Sequence, residues 1–198
     1  ISGQWSVVSG PVRRLPFTGR DKELRALREA TASHQLALIE GEPGIGKTRL
    51  AEEFMRSVNG LALVGVAHEL EHGLPYQPII EALRDLMAQP DWPALRSRLK
   101  LPDVWLAEVA RLVPEITGLA KERSSSPGSA TADESRIWEG LHQFLIALAR
   151  EQRVVFFLDD LQWADASTLA VLGYLVRGHA PVIFLAAARP IGVRTPLA

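Results

Sequence analysis

Four short apolar segments alternate with longer helical patterns along the chain. The apolar segments span residues 35–40, 61–67, 154–158 and 182–188, and each has the length of a buried strand. Helical spacing of apolar residues predicts helices at these positions: 21–33, about 50–55, 76–88, 94–112, 133–151 and from about 165. Strands that alternate with helices are typical of an α/β fold. We therefore predict a doubly wound parallel sheet with a helical insert between strands two and three.

A glycine-rich loop lies between the first strand and the next helix. Residues 41–48 read Gly-Glu-Pro-Gly-Ile-Gly-Lys-Thr, which matches the phosphate-binding pattern G-x-x-x-x-G-K-[ST]. The glycines allow turns in which successive amide N–H groups point at phosphate oxygens. We predict that Lys47 contacts the β- and γ-phosphates and that the Thr48 hydroxyl binds Mg²⁺. The helix N-terminus that follows also favours anions.

Two carboxylates follow the third strand. Five apolar residues at 154–158 suit a strand that is buried on both faces, and Asp159 and Asp160 stand at its C-terminal end. Ligands of open α/β sheets bind at this end of the strands. Asp159 is predicted to complete the Mg²⁺ shell that Thr48 begins, and Asp160 to orient or deprotonate the attacking water. Loop and carboxylates together predict a P-loop NTPase with a Mg-nucleotide site.

The composition is that of an ordinary globular domain. The chain has 198 residues, 47% of them hydrophobic and 23% charged, and its net charge is −1. It gives no electrostatic reason to expect DNA or an anionic membrane as a partner, and no apolar run reaches the ~18 residues of a membrane helix. The absence of cysteine excludes disulfides and fits a reducing cytoplasm. We expect a linker at 1–16, a P-loop core at 17–198, and a longer parent protein.

These motifs together resemble one family. The match is to the ATPase domain of the signal-transduction ATPases with numerous domains, the STAND class of AAA+-related P-loop proteins. Within that class it is similar to bacterial regulators in which the domain accompanies a LuxR-type or SARP-type DNA-binding domain, a kinase or a cyclase. Four stretches carry the resemblance: an entry motif at 17–24, the phosphate loop at 41–50, the carboxylate segment at 158–165, and a sensor-like strand end at 186–190.

The resemblance implies further site residues. A strand added between the phosphate-loop strand and the carboxylate strand would place Arg189 beside Lys47 and Asp159, as a sensor of the γ-phosphate. The Thr that the family usually has two residues before this arginine is Ala187 here. The implied nucleotide-binding residues are Phe17, Thr18 and Arg20 at the adenine pocket, and Glu42, Pro43, Gly44, Ile45, Gly46, Lys47, Thr48 and Arg49 at the phosphates.

The function that these features indicate is an ATP-driven switch. ATP or ADP would bind with Mg²⁺, hydrolysis would be slow, and the nucleotide state would control self-association or an attached effector domain. DNA would be contacted only through a domain outside this chain. In the resembled family a helical lid domain and a winged helix close over the nucleotide, so we expect weak affinity and little ATPase activity from this chain alone. The alternatives are a motor or loader, a P-loop phosphotransferase, and a nucleotide-binding module without hydrolysis.

The chain contains one sequence pattern that is typical of zinc sites, but it does not lie in a predicted helix. Residues 68–72 read His-Glu-Leu-Glu-His, the H-E-x-x-H pattern of zinc proteases, which needs both histidines on one face of a sustained helix. Here the pattern follows a strand-like run and meets Gly73 and Pro75 at once. We therefore predict a loop at this position rather than a zinc site.

Overall fold

The computed structural model describes residues 17–33, 36–71, 73–117 and 130–190. Its helices and strands follow in the order α1 (Asp21–Ser33), β1 (Leu36–Glu40), α2 (Lys47–Val58), β2 (Leu61–Val66), α3 (Gln77–Met87), α4 (Trp92–Arg98), α5 (Asp103–Val109), α6 (Ala130–Glu151), β3 (Val154–Asp159), α7 (Ala166–Arg177) and β4 (Val182–Ala188). Short 3₁₀ turns occupy Glu69–Glu71, Pro114–Thr117 and Leu161–Trp163. Within these described ranges no helix is long and apolar enough to cross a membrane. The predicted linker at 1–16 lies outside the described residues.

The four strands form one parallel sheet in the order β1-β4-β3-β2. Parallel neighbours need crossover connections, and the helices supply them. The helices α3 to α6 form the insert between β2 and β3, so the predicted fold class is confirmed. Strand β4 lies between β1 and β3. The carboxyl ends of β1, β4 and β3 therefore lie side by side, which is the edge where the phosphate loop and the two carboxylates meet.

Strand β3 is buried on both faces, and its side chains alternate between two apolar cores. On one face Val154, Phe156 and Leu158 join the core that is built mainly on α3, α6 and α7. On the other face Val155 and Phe157 pack with α1 and α2. A strand between two helical layers must be apolar at every position, which explains why its sequence shows a continuous run rather than alternation.

The single helix predicted at 94–112 is wrong. The structure has two short helices there, α4 and α5, separated by residues 99–102. Leu99 is extended, with φ −62° and ψ 114°, and Pro102 precedes the first turn of α5. Proline disfavours the helical conformation of the residue before it, so the chain leaves the helix ahead of Pro102 and begins a new one after it. The apolar spacing continues across this break, and spacing alone therefore suggested one element.

Helix α3 packs directly onto β2 at a glycine. A Cβ atom added to Gly65 would lie 1.9 Å from the carbonyl oxygen of Pro78, which is backbone of the first turn of α3. The close approach lets Ile79, Leu83 and Leu86 enter the core, where each is about 1% exposed. Glycine at this strand position is therefore required by a backbone contact rather than by flexibility.

A buried tyrosine connects α3, α6 and α7. The Tyr76 hydroxyl donates to a Glu134 carboxylate oxygen at 2.7 Å and accepts from the Trp138 indole N–H at 2.9 Å. The backbone N–H of Tyr76 donates to Asp165 at 3.3 Å, and Asp165 also caps α7 by accepting from the backbone N–H of Thr168. Burial raises the pKa of Tyr76 to about 12. This network ties the insert to the helix that follows the carboxylate segment.

Candidate functional site

The phosphate loop is curled around the side chain of Lys47. Gly44 and Gly46 have φ of +77° and +90°, conformations that side chains rarely adopt. The Lys47 ammonium group donates to the carbonyl oxygens of Gly41 at 2.8 Å and Glu42 at 3.2 Å, and the side chain is only 8% exposed. The loop therefore holds the Lys47 ammonium group against its own backbone, at the N-terminus of α2.

The first turn of α2 meets the end of β3. The Thr48 hydroxyl donates to Oδ2 of Asp159 at 2.6 Å, although the two residues are 111 positions apart in the chain. The other carboxylate oxygen of Asp159 accepts the backbone N–H of Asp160 at 2.9 Å, and Asp159 is 7% exposed. The two residues predicted to hold Mg²⁺ are thus brought into contact.

The oxygens of Thr48 and Asp159 suit Mg²⁺ in chemical type and in spacing. Magnesium prefers oxygen ligands in an octahedral shell, whose adjacent ligands lie roughly 3 Å apart. The observed 2.6 Å between these two oxygens requires only a small opening to reach that spacing. Among the residues that the structure describes, no group of three or more His, Cys, Asp or Glu could hold a metal by itself. A cation at this point would therefore share its shell with water and with phosphate oxygens.

The second carboxylate is held by the turn that follows it. Asp160 has φ +51° and ψ +42°, so the chain turns sharply into the 3₁₀ turn Leu161–Trp163. Within that turn the Gln162 side-chain N–H donates to Oδ1 of Asp160 at 2.8 Å. The Gln162 side-chain oxygen accepts the backbone N–H of Arg189 at 3.0 Å. We did not assign Gln162 a role from the sequence, where its position two residues after Asp160 was the available signal.

Arg189 follows β4 at the shared edge of the sheet, but its side chain lies away from the lysine. The guanidinium carbon is 5.6 Å from the centroid of the Trp163 ring, which is a cation–π distance. No ion pair or hydrogen bond joins this guanidinium to the phosphate loop or to Asp159 in the described ranges. The strand order brings the backbone of Arg189 to the site, while its sensor role stays a prediction.

The entry motif lies against the outside of the phosphate loop. The Arg20 guanidinium donates to the backbone carbonyl of Ile45, and Phe17 packs against the core between the sheet and α1 and α2. Thr18 is exposed, and Arg49 pairs with Glu52 at 3.5 Å. Arg20 is therefore the residue of this motif that contacts the loop directly. The adenine-pocket roles of Phe17, Thr18 and Arg20 stay predictions.

The H-E-x-x-H segment does not form a sustained helix in the part that the structure describes. Glu69–Glu71 is one 3₁₀ turn, and Leu70 is 99% exposed. His72 lies outside the described residues. A three-residue turn cannot present positions four apart on one helical face, so the geometry gives no support for zinc here.

Comparisons with known proteins place the chain by family and by fold. A family model described as an AAA ATPase domain matches residues 16–185. Among solved structures the chain is similar to the Walker-type ATPase PABY2304 of Pyrococcus abyssi, with a TM-score of 0.53 and 16% sequence identity. The alignment covers 86% of this chain and 45% of that chain, so this chain spans less than half the length of that ATPase. At this identity the likeness shows the fold. No curated protein matches the chain.

Proposed function

The chain belongs to the AAA ATPase domain family, and we propose that it binds ATP and ADP with Mg²⁺ and slowly hydrolyses ATP. The contact between Thr48 and Asp159 carries the proposal. It joins a helix N-terminus, a phosphate-type loop and a strand-end carboxylate at one point. A purely structural role would not require a glycine loop with a buried lysine beside that contact.

Lys47 and α2 would bind the phosphates. The Lys47 ammonium group is now satisfied by two neutral carbonyl oxygens, and a phosphate oxygen is a stronger acceptor for it. Thr48 and Asp159 would hold Mg²⁺, which supplies neutralising charge at the phosphates when bound. The side chains that would wrap the nucleotide are those of the entry motif and loop: Phe17, Thr18, Arg20, Glu42, Pro43, Ile45 and Arg49.

Asp160 and Arg189 would act on the γ-phosphoryl group. Asp160 lies one residue beyond Asp159, and we propose that it orients or deprotonates the attacking water. Arg189 is exposed, so its side chain can rotate from Trp163 without breaking core contacts. A guanidinium group at the γ-phosphate would stabilise charge that develops in the transition state.

The proposed biological role is a switch in a cytoplasmic multidomain regulator. The resemblance to the STAND class supports this role, because the sequence of residues 158–165 is close to the usual sequence of that family at this motif. Slow hydrolysis gives a long-lived bound state, and the output would be self-association or an effector domain outside this chain. The phosphate loop is exposed on its outer side, with Ile45 48% exposed, so we expect weak affinity from this chain alone.

Calorimetric titration tests the binding part of the proposal. ATP, ADP and GTP would each be titrated with Mg²⁺ into the wild-type chain and into Lys47→Ala. We expect adenine-selective binding that the substitution abolishes, because the ammonium group contacts the phosphates. Circular dichroism of Lys47→Ala would confirm that it folds. Equal heats for the two chains would contradict the site.

Hydrolysis separates the switch from the other functions. With enzyme in excess over radiolabelled ATP, we expect slow conversion to ADP that Asp160→Asn removes while binding is retained. Binding without conversion in the wild-type chain would identify a module that does not hydrolyse. Fast steady turnover would instead favour a motor or a phosphotransferase. Hydrolysis that persists in Asp160→Asn would show that the role given to Asp160 is wrong.

A further inference from the structure

One side-chain amide joins the carboxyl ends of two neighbouring strands at the proposed site. Gln162 donates from its NH₂ group to Asp160 at the end of β3, and its carbonyl oxygen accepts from the backbone N–H of Arg189 at the end of β4. The distances are 2.8 and 3.0 Å. Paired backbone groups join β3 and β4 up to Leu158 and Ala186, so this bridge continues the connection beyond the regular ladder.

The side-chain amide of Gln162 satisfies both of its partners. The backbone N–H of Arg189 can only donate, and an ionised Asp160 carboxylate can only accept. A neutral side chain with one donor and one acceptor group satisfies both, and only one of its two flipped orientations does so. A glutamate would accept from Arg189 but would place a second negative charge against Asp160.

The same turn holds the side chain of Arg189. Trp163, the residue after Gln162, lies under the Arg189 guanidinium group at 5.6 Å. The backbone N–H of Trp163 also donates to the carbonyl oxygen of Asp160 at 2.9 Å, which fixes the turn relative to the carboxylate. The orientation of Asp160 and the position of Arg189 are therefore set by one short segment.

We propose that Gln162 is the positioning residue that aligns Asp160 with the sensor arginine. This inference rests on the proposed function, because it assigns Asp160 to the water and Arg189 to the γ-phosphoryl group. With Oδ1 of Asp160 tied to Gln162, rotation of the carboxylate is restricted and Oδ2 would accept from the attacking water. With its backbone tied to the same amide, Arg189 starts from a fixed point beside that carboxylate. Hydrolysis then depends on Gln162, whereas phosphate binding through Lys47 does not.

Two substitutions of similar size test the two hydrogen bonds of Gln162. Gln162→Met keeps the length of the side chain and removes both hydrogen bonds. Gln162→Glu keeps an acceptor for the Arg189 amide and removes the donor to Asp160. The matched control is Gln143→Met, because Gln143 also donates its side-chain amide to a carboxylate, that of Glu139 at 2.7 Å, within α6.

Single-turnover hydrolysis and Mg-ATP affinity would be measured for each variant. We expect both Gln162 variants to hydrolyse about tenfold to a hundredfold more slowly, since small displacements of reacting groups have effects of this size. Their dissociation constants for Mg-ATP should stay within about threefold of wild type, and Gln143→Met should match wild type in both measurements. A wild-type rate in Gln162→Met, or a loss that only follows weaker binding, would overturn the proposal.

Amide hydrogen exchange provides a readout that does not depend on activity. The N–H of Arg189 should exchange faster in Gln162→Met than in wild type and should stay protected in Gln162→Glu. Unchanged protection in Gln162→Met would show that the bridge is not formed. A wild-type chain that binds nucleotide without hydrolysing it would contradict the proposed function instead, and the exchange result would still decide whether the bridge exists.

Discussion

The contact between Gly65 and α3 gives a sharp test of the fold that supports the site. In Gly65→Ala the new methyl group would lie 1.9 Å from the carbonyl oxygen of Pro78 and 2.6 Å from its carbonyl carbon, whereas real Cβ contacts below 3.0 Å are essentially absent. The first turn of α3 must therefore move by about 1 Å away from β2. The obstacle is backbone rather than a flexible side chain, so rotamer changes cannot absorb it.

The expected cost follows from what α3 buries. Its core side chains Ile79, Leu83 and Leu86 are each about 1% exposed, and a shift of the helix loosens all three. Overpacking a core lowers the free energy of unfolding by about 1–3 kcal/mol. We expect the upper end of this range, because the atoms in the way belong to the backbone. Replacing glycine also lowers the conformational entropy of the unfolded chain, which stabilises the protein by roughly 0.4–1 kcal/mol. We expect a net loss of about 2–3 kcal/mol in the free energy of unfolding.

Urea unfolding followed by circular dichroism measures this loss. The matched control is Gly73→Ala, because a Cβ at Gly73 meets no atom within 4 Å. The control should stay within about 0.5 kcal/mol of wild type, as surface substitutions usually do. At roughly 2–4 °C per kcal/mol, Gly65→Ala should also melt about 4–12 °C lower. If Gly65→Ala were as stable as the control, the close packing of α3 on β2 would be refuted.

Three further substitutions test other contacts: one at a buried tyrosine, one at an ion pair and one at an arginine beside the phosphate loop. Burial raises the pKa of Tyr76 to about 12 from 10.0, so its contribution to stability is complete below pH 10 and is lost as the pH rises toward 12. Tyr76→Phe should flatten this part of the pH profile of urea unfolding, and an unchanged slope would contradict the assignment. The Arg136 side chain is 60% exposed and pairs at 2.7 Å with Glu108, whose side chain is 7% exposed. Arg111 also pairs with Glu108, at 3.1 Å, so this buried carboxylate keeps a cationic partner when Arg136 is removed. Arg136→Ala should therefore cost no more than about 1 kcal/mol in the same assay, and a larger loss would argue against this reading. Arg20 donates a hydrogen bond to the carbonyl oxygen of Ile45. Arg20→Ala should therefore raise the dissociation constant for ATP, measured by calorimetry, about tenfold, which corresponds to the loss of one hydrogen bond from a charged group. Unchanged affinity would show that Arg20 does not order the loop.

The local features of the site could be predicted from the sequence because each depends on residues close together in the chain. A loop with the spacing of 41–48 needs glycines where φ is positive, and Gly44 and Gly46 have such values. The apolar run at 154–158 predicted a strand with two buried faces, and its alternate side chains enter two cores. Helix α7 begins at Ala166, close to the predicted start at about 165, and the Asp165 side chain accepts the backbone N–H of Thr168 in its first turn.

The break between α4 and α5 shows how one local signal can mask another. Apolar spacing continued through 94–112, and we predicted one helix from it. Pro102 was present in the sequence and disfavours a helical conformation of the preceding residue. The stronger periodic pattern concealed this signal. In the structure α4 ends at Arg98, and α5 begins at Asp103, directly after Pro102.

The contacts between distant residues were decided by the tertiary structure alone. Thr48 and Asp159 meet across 111 positions in a sheet that has β4 between β1 and β3, an order that the family resemblance implied but that no residue pattern contains. The stacking of Arg189 on Trp163 and the bridge through Gln162 depend on the same order. The four strands, most of the helices and the chemical groups on them could be predicted from the sequence, because backbone preference and apolar spacing act locally. Which of those groups touch depends on strand pairing, where many arrangements satisfy the same local pattern and only the packed core selects one.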